Sequence, residues 1–336
     1  MGTFWIERAR EIQQGKHLTR EEAAAFLKEP GERLLEQLEA AYLLRSHYYQ
    51  NQVKLNMIIN TKSGLCSENC GYCAQSIDSK AVISKYRMMP SKEIVQGARE
   101  AEKRGAGTYC IVASGRGPSE KELRIVEEAV EEIKATSQLK VCACLGILKE
   151  GQGKRLKAAG VDRYNHNVNS SERFHENIVT THTYEDRTGT VNEAIRAGIS
   201  PCSGLIAGMG ESHEDIIDVL YALKEIGADS VPVNFLHAIE GTAFEHQPGL
   251  RPEECLRILA LARMILPSKE IRAAGGREEN LKSMQPLALY AVNSIFLGDY
   301  LTTPGQAWKK DLQMIEDAGF RIEENAFTQS AEMYSS

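Results

Sequence analysis

Eight times between residues 54 and 318 a short apolar or β-branched run precedes a longer charged stretch with helical spacing. The short runs lie at 54–60, 107–113, 139–145, 162–168, 199–206, 229–235, 270–274 and 292–297. The helical stretches lie at 91–104, 119–136, 149–159, 183–197, 213–226, 252–266, 277–290 and 305–318. Several of these helices end in glycine just ahead of the next strand, as in KRGAG, KAAGVD, RAGIS and KEIGAD. Glycine takes the left-handed cap there without a Cβ clash. Strands joined through helical crossovers run parallel. Eight such units in succession predict an α/β fold, a closed (β/α)8 barrel of the TIM type, rather than a doubly wound sheet with an added domain.

The stretch from residue 19 to about 50 has helical periodicity interrupted once, at Pro30–Gly31. The expected organisation is a helical lead-in over 1–50, a barrel over 51–320 and a flexible tail over 321–336. No Pro/Ser-rich linker divides the chain. No apolar run reaches the roughly 18–20 residues that cross a bilayer, and the charged N-terminus lacks the apolar centre of a secretory signal. A formal net charge of -6 argues against a broad phosphate-binding surface. Neither a membrane nor nucleic acid is therefore expected as a partner, and the expected location is the cytoplasm.

Residues 64–73 read GLCSENCGYC and place Cys66, Cys70 and Cys73 in a C-x3-C-x2-C pattern directly after the first expected strand. In a barrel that position is the C-terminal mouth, where active sites lie. Three thiols are one short of a closed tetrahedral site. A zinc loop with a distant fourth ligand, a redox disulfide, and an iron–sulfur cluster with one open iron all remain compatible with the spacing. The chain has eight cysteines, the others being Cys110, Cys142, Cys144, Cys202 and Cys255. Cys110, Cys142 and Cys202 fall in three different expected strands. Each alone reads as a small buried hydrophobe, but inward side chains of a closed barrel converge, and three thiols together suit a soft metal. Cys255 sits in an amphipathic helix and reads as structural.

The fourth expected strand, DRYNHNVN, has Asn165, Asn167 and Asn169 on one face at period 2, with His166 on the other as a packed structural histidine. Neutral amides on an inward face are costly unless they meet a polar ligand, and their paired donors and acceptors suit a urea group or ribose hydroxyls. A polar strand end packing against loops is the alternative.

The cysteine loop, with Tyr72 before its last cysteine, resembles the radical S-adenosylmethionine (SAM) superfamily. GLIAGMGE, from Gly204 to Glu211, is similar to that superfamily's G-x-I-x-G-x-x-E pattern. The resemblance implies a [4Fe-4S] cluster held by Cys66, Cys70 and Cys73, with the amino and carboxylate groups of SAM on the open iron. Tyr72, Gly204, Ile206 and Glu211 would then be SAM-binding positions. Over residues 50 to 320 the stretches TYCIVASGRGP, VCACLG, RYNHNVNSS, DSVPVNFL, IRAAGGRE and NSIFLGDYLTTPG resemble more narrowly the biotin synthase family.

That resemblance implies sulfur insertion into dethiobiotin. SAM is cleaved reductively to a 5′-deoxyadenosyl radical that abstracts hydrogen, and the substrate carbon then takes sulfur from a second, [2Fe-2S] cluster. The second cluster's implied ligands are Cys110, Cys142, Cys202 and Arg272. A protonated guanidinium has no lone pair to give, so Arg272 also reads as a charge-neutralising donor. Cys144, two positions after Cys142, returns to the same strand face and offers an alternative ligand for a four-iron cluster. The resemblance further implies Asn165 and Asn234 on the ureido ring, Asn167 and Asn169 on the SAM ribose, and Thr302 and Thr303 on the substrate carboxylate. The two threonines read equally well as a helix N-cap ahead of PGQAWKKDL. At Asn169 many members carry aspartate; an amide keeps the bonds without charge assistance. A homodimer and a flavodoxin or ferredoxin electron donor are implied in the same way.

Overall fold

The computed structural model describes residues 3–323. Three helices lead in: α1 (Phe4–Gln13), α2 (Arg20–Lys28) and α3 (Leu34–Tyr49). Thr19 and Glu22 form a capping box at the start of α2, each satisfying the other's free backbone N–H. Pro30 ends that periodicity, as expected from its missing N–H. Trp5 packs edge-on against Phe26 with ring centroids 4.8 Å apart. Trp5, Phe26 and Leu44 are all at most 1% exposed. Each contributes roughly 2 kcal/mol of burial, which docks the lead-in firmly. Arg45 of α3 donates to the carbonyls of Val292, Gln50 and Gln52 and so ties α3 to the entry of two barrel strands.

The barrel strands are β1 (Gln52–Lys62), β2 (Thr108–Ala113), β3 (Lys140–Cys144), β4 (Arg163–Asn165), β5 (Ser200–Cys202), β6 (Leu205–Ala207), β7 (Ser230–Phe235), β8 (Glu270–Ala273) and β9 (Ser294–Phe296). All pairings are parallel, and β1 pairs with both β2 and β9, so the sheet closes on itself. β5 and β6 both pair with β7 and share one strand position, leaving eight positions around the barrel. Helices cover the outside: α4 (Ser91–Lys103), α5 (Glu120–Thr136), α6 (Gln152–Ala159), α7 (Tyr184–Arg196), α8 (His213–Glu225), α9 (Pro252–Ile265), α10 (Arg277–Leu281), α11 (Gln285–Ala288) and α12 (Trp308–Asp317). Capping boxes at Ser119, Thr183 and Ser212 start α5, α7 and α8. α9 is buried from Cys255 to Ile265 because α3 covers its outer side. Cys255 is fully buried there, which agrees with its structural reading.

Several boundaries differ from the sequence reading. The expected strand 199–206 is broken at Ser203–Gly204, where a Cβ on Gly204 would lie 1.9 Å from the Pro232 carbonyl oxygen. The backbones approach too closely for a regular strand there, and Pro232 has no N–H for the ladder. The expected strand 162–168 keeps ladder pairing only over Arg163–Asn165; beyond it Asn169 takes a left-handed φ of 70° and bridges to Leu205. The expected helix 277–290 splits into α10 and α11 around Lys282, whose φ is +50°. Within the stretch read as a tail, β10 (Arg321–Ile322) pairs with the start of β1. Residues 324–336 lie outside the described residues.

Candidate active site

β1 runs straight into the three-cysteine loop, and that loop is fastened to the segment ahead of α7. Gly71 N–H donates to the Ile178 carbonyl at 2.8 Å. The Asn69 side chain accepts from the backbone N–H groups of Thr180 and Thr181 at 3.0 and 3.2 Å and donates to Thr180 Oγ1 at 2.7 Å. Glu68, 6% exposed, accepts from Thr181 Oγ1 at 2.6 Å, from His182 Nδ1 and from Arg116 Nη1 at 3.2 Å. Those three partners hold its carboxyl below the usual range against the cost of burial. The loop is therefore a latched structure whose thiols have set positions.

Burial raises the Cys66 and Cys70 thiols above their ordinary value and pushes Cys73 up to about 12. Without metal they are neutral, and loading them with iron must release protons. Among the described residues no three His, Cys, Asp or Glu side chains converge on a single-ion position. A cubane cluster does not need that convergence, because each thiolate binds its own iron at a separate corner. A soft all-thiol donor set on one latched loop, one ligand short, fits such a cluster.

Cys110, Cys142 and Cys144 line the same cavity, of about 400 Å³, which lies inside the barrel and opens at its C-terminal mouth, and Cys202 is buried just behind its wall. Cys110 stands opposite Cys142 in the β2–β3 ladder, and Cys202 follows on β5. The three are at most 4% exposed. Cys142 is raised first by the Cys110 thiol beside it, and Cys202 first by Cys142, so they form a chain of neighbouring sulfurs. Arg272 of β8 borders the same space. Cys144, half-buried, faces the cavity too, and burial pushes it up to about 12.

Between the two sulfur sets lie the amides. Asn165 Nδ2 donates to Asn167 Oδ1 at 3.0 Å and to Cys202 Sγ at 3.3 Å. Asn169 Nδ2 donates to Tyr72 Oη at 2.6 Å. Asn234 donates to the Leu205 carbonyl at 3.0 Å and accepts from Gly275 N–H at 2.9 Å. Half of its donor and acceptor capacity remains for a ligand. Asn165, Asn167, Asn169, Asn234 and Ile206 all line the cavity, whereas Gly204 and Glu211 do not. Gly204 permits the close approach to Pro232, and Glu211 accepts from the N–H groups of Gly208 and Met209 at 2.6 and 2.7 Å. Those two shape the wall through the backbone.

Thr302 and Thr303 line the mouth. Their N-cap alternative does not occur: α12 starts after Ala307 and has no side-chain cap. His166, read as packed away from the site, also borders the cavity, with Nε2 buried and without a partner among the described residues. Burial holds its imidazole well below the ordinary value.

The residue that the sequence reading missed is Arg187. From α7 it donates to the Asn167 carbonyl at 2.8 Å and to Tyr72 Oη at 3.4 Å, and its Nη2 lies 3.8 Å from Cys70 Sγ. It is 6% exposed. One signal was available. Arg187 shares a helical stripe with the buried Thr190, Val191 and Ala194, and an arginine on an apolar stripe needs a partner.

Comparison with known proteins agrees with this geometry. The Radical SAM superfamily profile matches residues 61–223, and that of the Biotin and Thiamin Synthesis associated domain matches residues 232–321. A biotin synthase of Geobacillus kaustophilus (strain HTA426) is 58% identical over 319 residues, covering 95% of this chain and 96% of that protein. The biotin synthase of Bacillus subtilis (strain 168) is 56% identical, covering 95% of each. Among solved structures a methylornithine synthase aligns with a TM-score of 0.84 at 19% identity, covering 96% of this chain and 99% of that one. An FeFe-hydrogenase maturase from Carboxydothermus hydrogenoformans aligns at 0.80 and 20%, covering 95% and 79%. At such identities the two solved structures speak for the fold alone.

Proposed function

We propose, for a chain that belongs to the biotin synthase family of radical SAM enzymes, that its barrel cavity converts dethiobiotin to biotin with sulfur from an auxiliary iron–sulfur cluster. The observation that supports this reading is a single cavity bordered by the loop cysteines and by Cys110 and Cys142, with Asn165 bonded to Cys202 at one end of the asparagine strand and Asn169 to Tyr72 of the loop at the other. When bound, a [4Fe-4S] cluster with SAM supplies a carbon-centred radical, and the auxiliary cluster supplies sulfur.

Cys66, Cys70 and Cys73 would hold the first cluster. Arg187, beside Cys70, would meet the carboxylate of the methionine moiety as a two-donor fork. Tyr72, Asn167, Asn169 and Ile206 would orient the adenosyl part, with Gly204 and Glu211 keeping the backbone behind them in shape. Asn165 and Asn234 would bind the ureido ring and Thr302 and Thr303 the substrate carboxylate. Cys110, Cys142, Cys202 and Arg272 would surround the auxiliary cluster. Apolar walls from Ile58, Val112 and Phe296 keep water from the reacting carbons.

Arg187→Lys is expected to raise the SAM KM by roughly tenfold or more with a smaller change in kcat, since an ammonium loses the fork but keeps the charge. Titrating SAM in the 5′-deoxyadenosine assay checks it; an unchanged KM would remove Arg187 from the SAM site. Auxiliary iron and sulfide are expected to be unchanged in Cys144→Ala under the two-iron reading. Their loss in that variant would establish the four-iron alternative.

The requirement for an electron implies a small redox protein such as a flavodoxin or ferredoxin. A homodimer and a cytoplasmic location complete the reading. Among the described residues no helix is long and apolar enough to cross a membrane. The deciding test is anaerobic incubation of the reconstituted protein with SAM, reductant and dethiobiotin. Biotin is the expected product, and 5′-deoxyadenosine without biotin would assign the cavity to another radical reaction.

A further inference from the structure

On the side of the cavity away from the mouth, one buried carboxylate lies between the buried Arg272 and the half-buried Arg163. Glu270, the first residue of β8, is 2% exposed. Its Oε1 accepts from Arg272 Nη2 at 2.6 Å and from Ser230 Oγ at 3.2 Å. Its Oε2 accepts from Arg163 Nη1 at 2.7 Å, with Lys54 Nζ at 3.7 Å. Arg272 is gripped again elsewhere: Nε donates to Ser294 Oγ at 3.1 Å, Nη2 to Ser230 Oγ at 3.2 Å, and its guanidinium carbon lies 4.9 Å from the Phe296 ring centre. Among the described residues Nη1 alone makes no hydrogen bond, and Arg272 shares the cavity wall with Cys110 and Cys142, beside which Cys202 is buried.

We infer that Glu270 is a positioning residue for the auxiliary site, aiming the one free edge of Arg272 at the three strand thiols before any cluster enters. This rests on the reading of the cavity given above. A free arginine samples many rotamers, and two guanidiniums that converge on one carboxylate from β4 and β8 repel each other. Placing one carboxylate oxygen on each removes both problems. It leaves a fixed cationic wall facing a site that thiolates and sulfide make anionic. Neither Glu270 nor Arg163 reaches the cluster; Glu270 acts through Arg272, and Arg163 only occupies the carboxylate's other oxygen.

The test uses the reconstituted holoenzyme under anaerobic conditions. Two readouts follow the auxiliary cluster: its midpoint potential, and the rate at which its absorbance is lost to bathophenanthroline disulfonate. Glu270→Gln offers one acceptor and one donor where both arginines donate, so one arginine loses its partner. The expected result is a more positive potential and loss roughly tenfold faster or more, while the EPR spectrum of the reduced mouth cluster stays as in the wild type. Arg163→Met, which spares the Glu270–Arg272 pair, is expected to move neither readout. In an Arg272→Met background Glu270→Gln is expected to add nothing. Wild-type potential and loss rate in Glu270→Gln would overturn the inference. So would additive effects in the double variant, or parallel loss of both clusters, which would mark Glu270 as structural only. A wild-type protein that binds no second cluster would overturn the cavity reading, and the inference with it.

Discussion

Cys70→Ala is expected to reduce reductive cleavage of SAM to the background rate. Cys70 is 8% exposed, sits on a loop fastened through Asn69 and Glu68, and has Arg187 beside its sulfur. No neighbouring thiol can replace it, because the latch that positions the loop also prevents Cys66 or Cys73 from moving over. Two thiolates leave two irons without protein ligands, so the loss concerns the cluster and not just its potential. The measurement is 5′-deoxyadenosine formed per protein, with iron and sulfide counted on the same sample. Near-native SAM cleavage by this variant would refute the loop as cluster site. The fold should survive, since removing one small, nearly buried thiol group costs on the order of 1 kcal/mol.

Cys202→Ala separates the two chemistries. Cys202 is fully buried, neighbours Cys142, and accepts from Asn165 Nδ2 at 3.3 Å, far from the latched loop in sequence but next to two residues of the same cavity wall. Under the proposed reading, losing one of three buried cysteines would leave an auxiliary cluster without a ligand and its iron is expected to be lost. Biotin formation is expected to fall below detection while SAM cleavage continues at a rate within about tenfold of wild type, because the mouth cluster keeps all its ligands. Parallel assays of biotin and 5′-deoxyadenosine in one reaction check it. Biotin at wild-type yield would remove the strand cysteines from sulfur supply.

The barrel was legible because its signal is local and repeated. Each strand run is about as long as the sheet needs, each crossover helix carries one apolar stripe, and glycine stands where helices stop. The breaks at Gly204, Asn169 and Lys282 were not legible. They answer to a neighbouring backbone or to a left-handed φ that no periodicity announces. At the site, the C-x3-C-x2-C loop could be read because cluster chemistry fixes that spacing along the chain. The asparagine strand could be read because three amides on one face are costly without a ligand.

What the sequence by itself determined is the fold class, the loop of Cys66, Cys70 and Cys73, and the inward set of Cys110, Cys142 and Cys202, since periodicity and spacing encode all three. Only the tertiary structure decided what those residues meet. It brought Arg187 from α7 to Cys70, divided Glu211 and Gly204 from the lining residues, and set Glu270 between Arg163 and Arg272. The reason is closure. Residues over a hundred positions apart become neighbours only when the first strand pairs with the last, and a local pattern carries no record of its partner across the barrel.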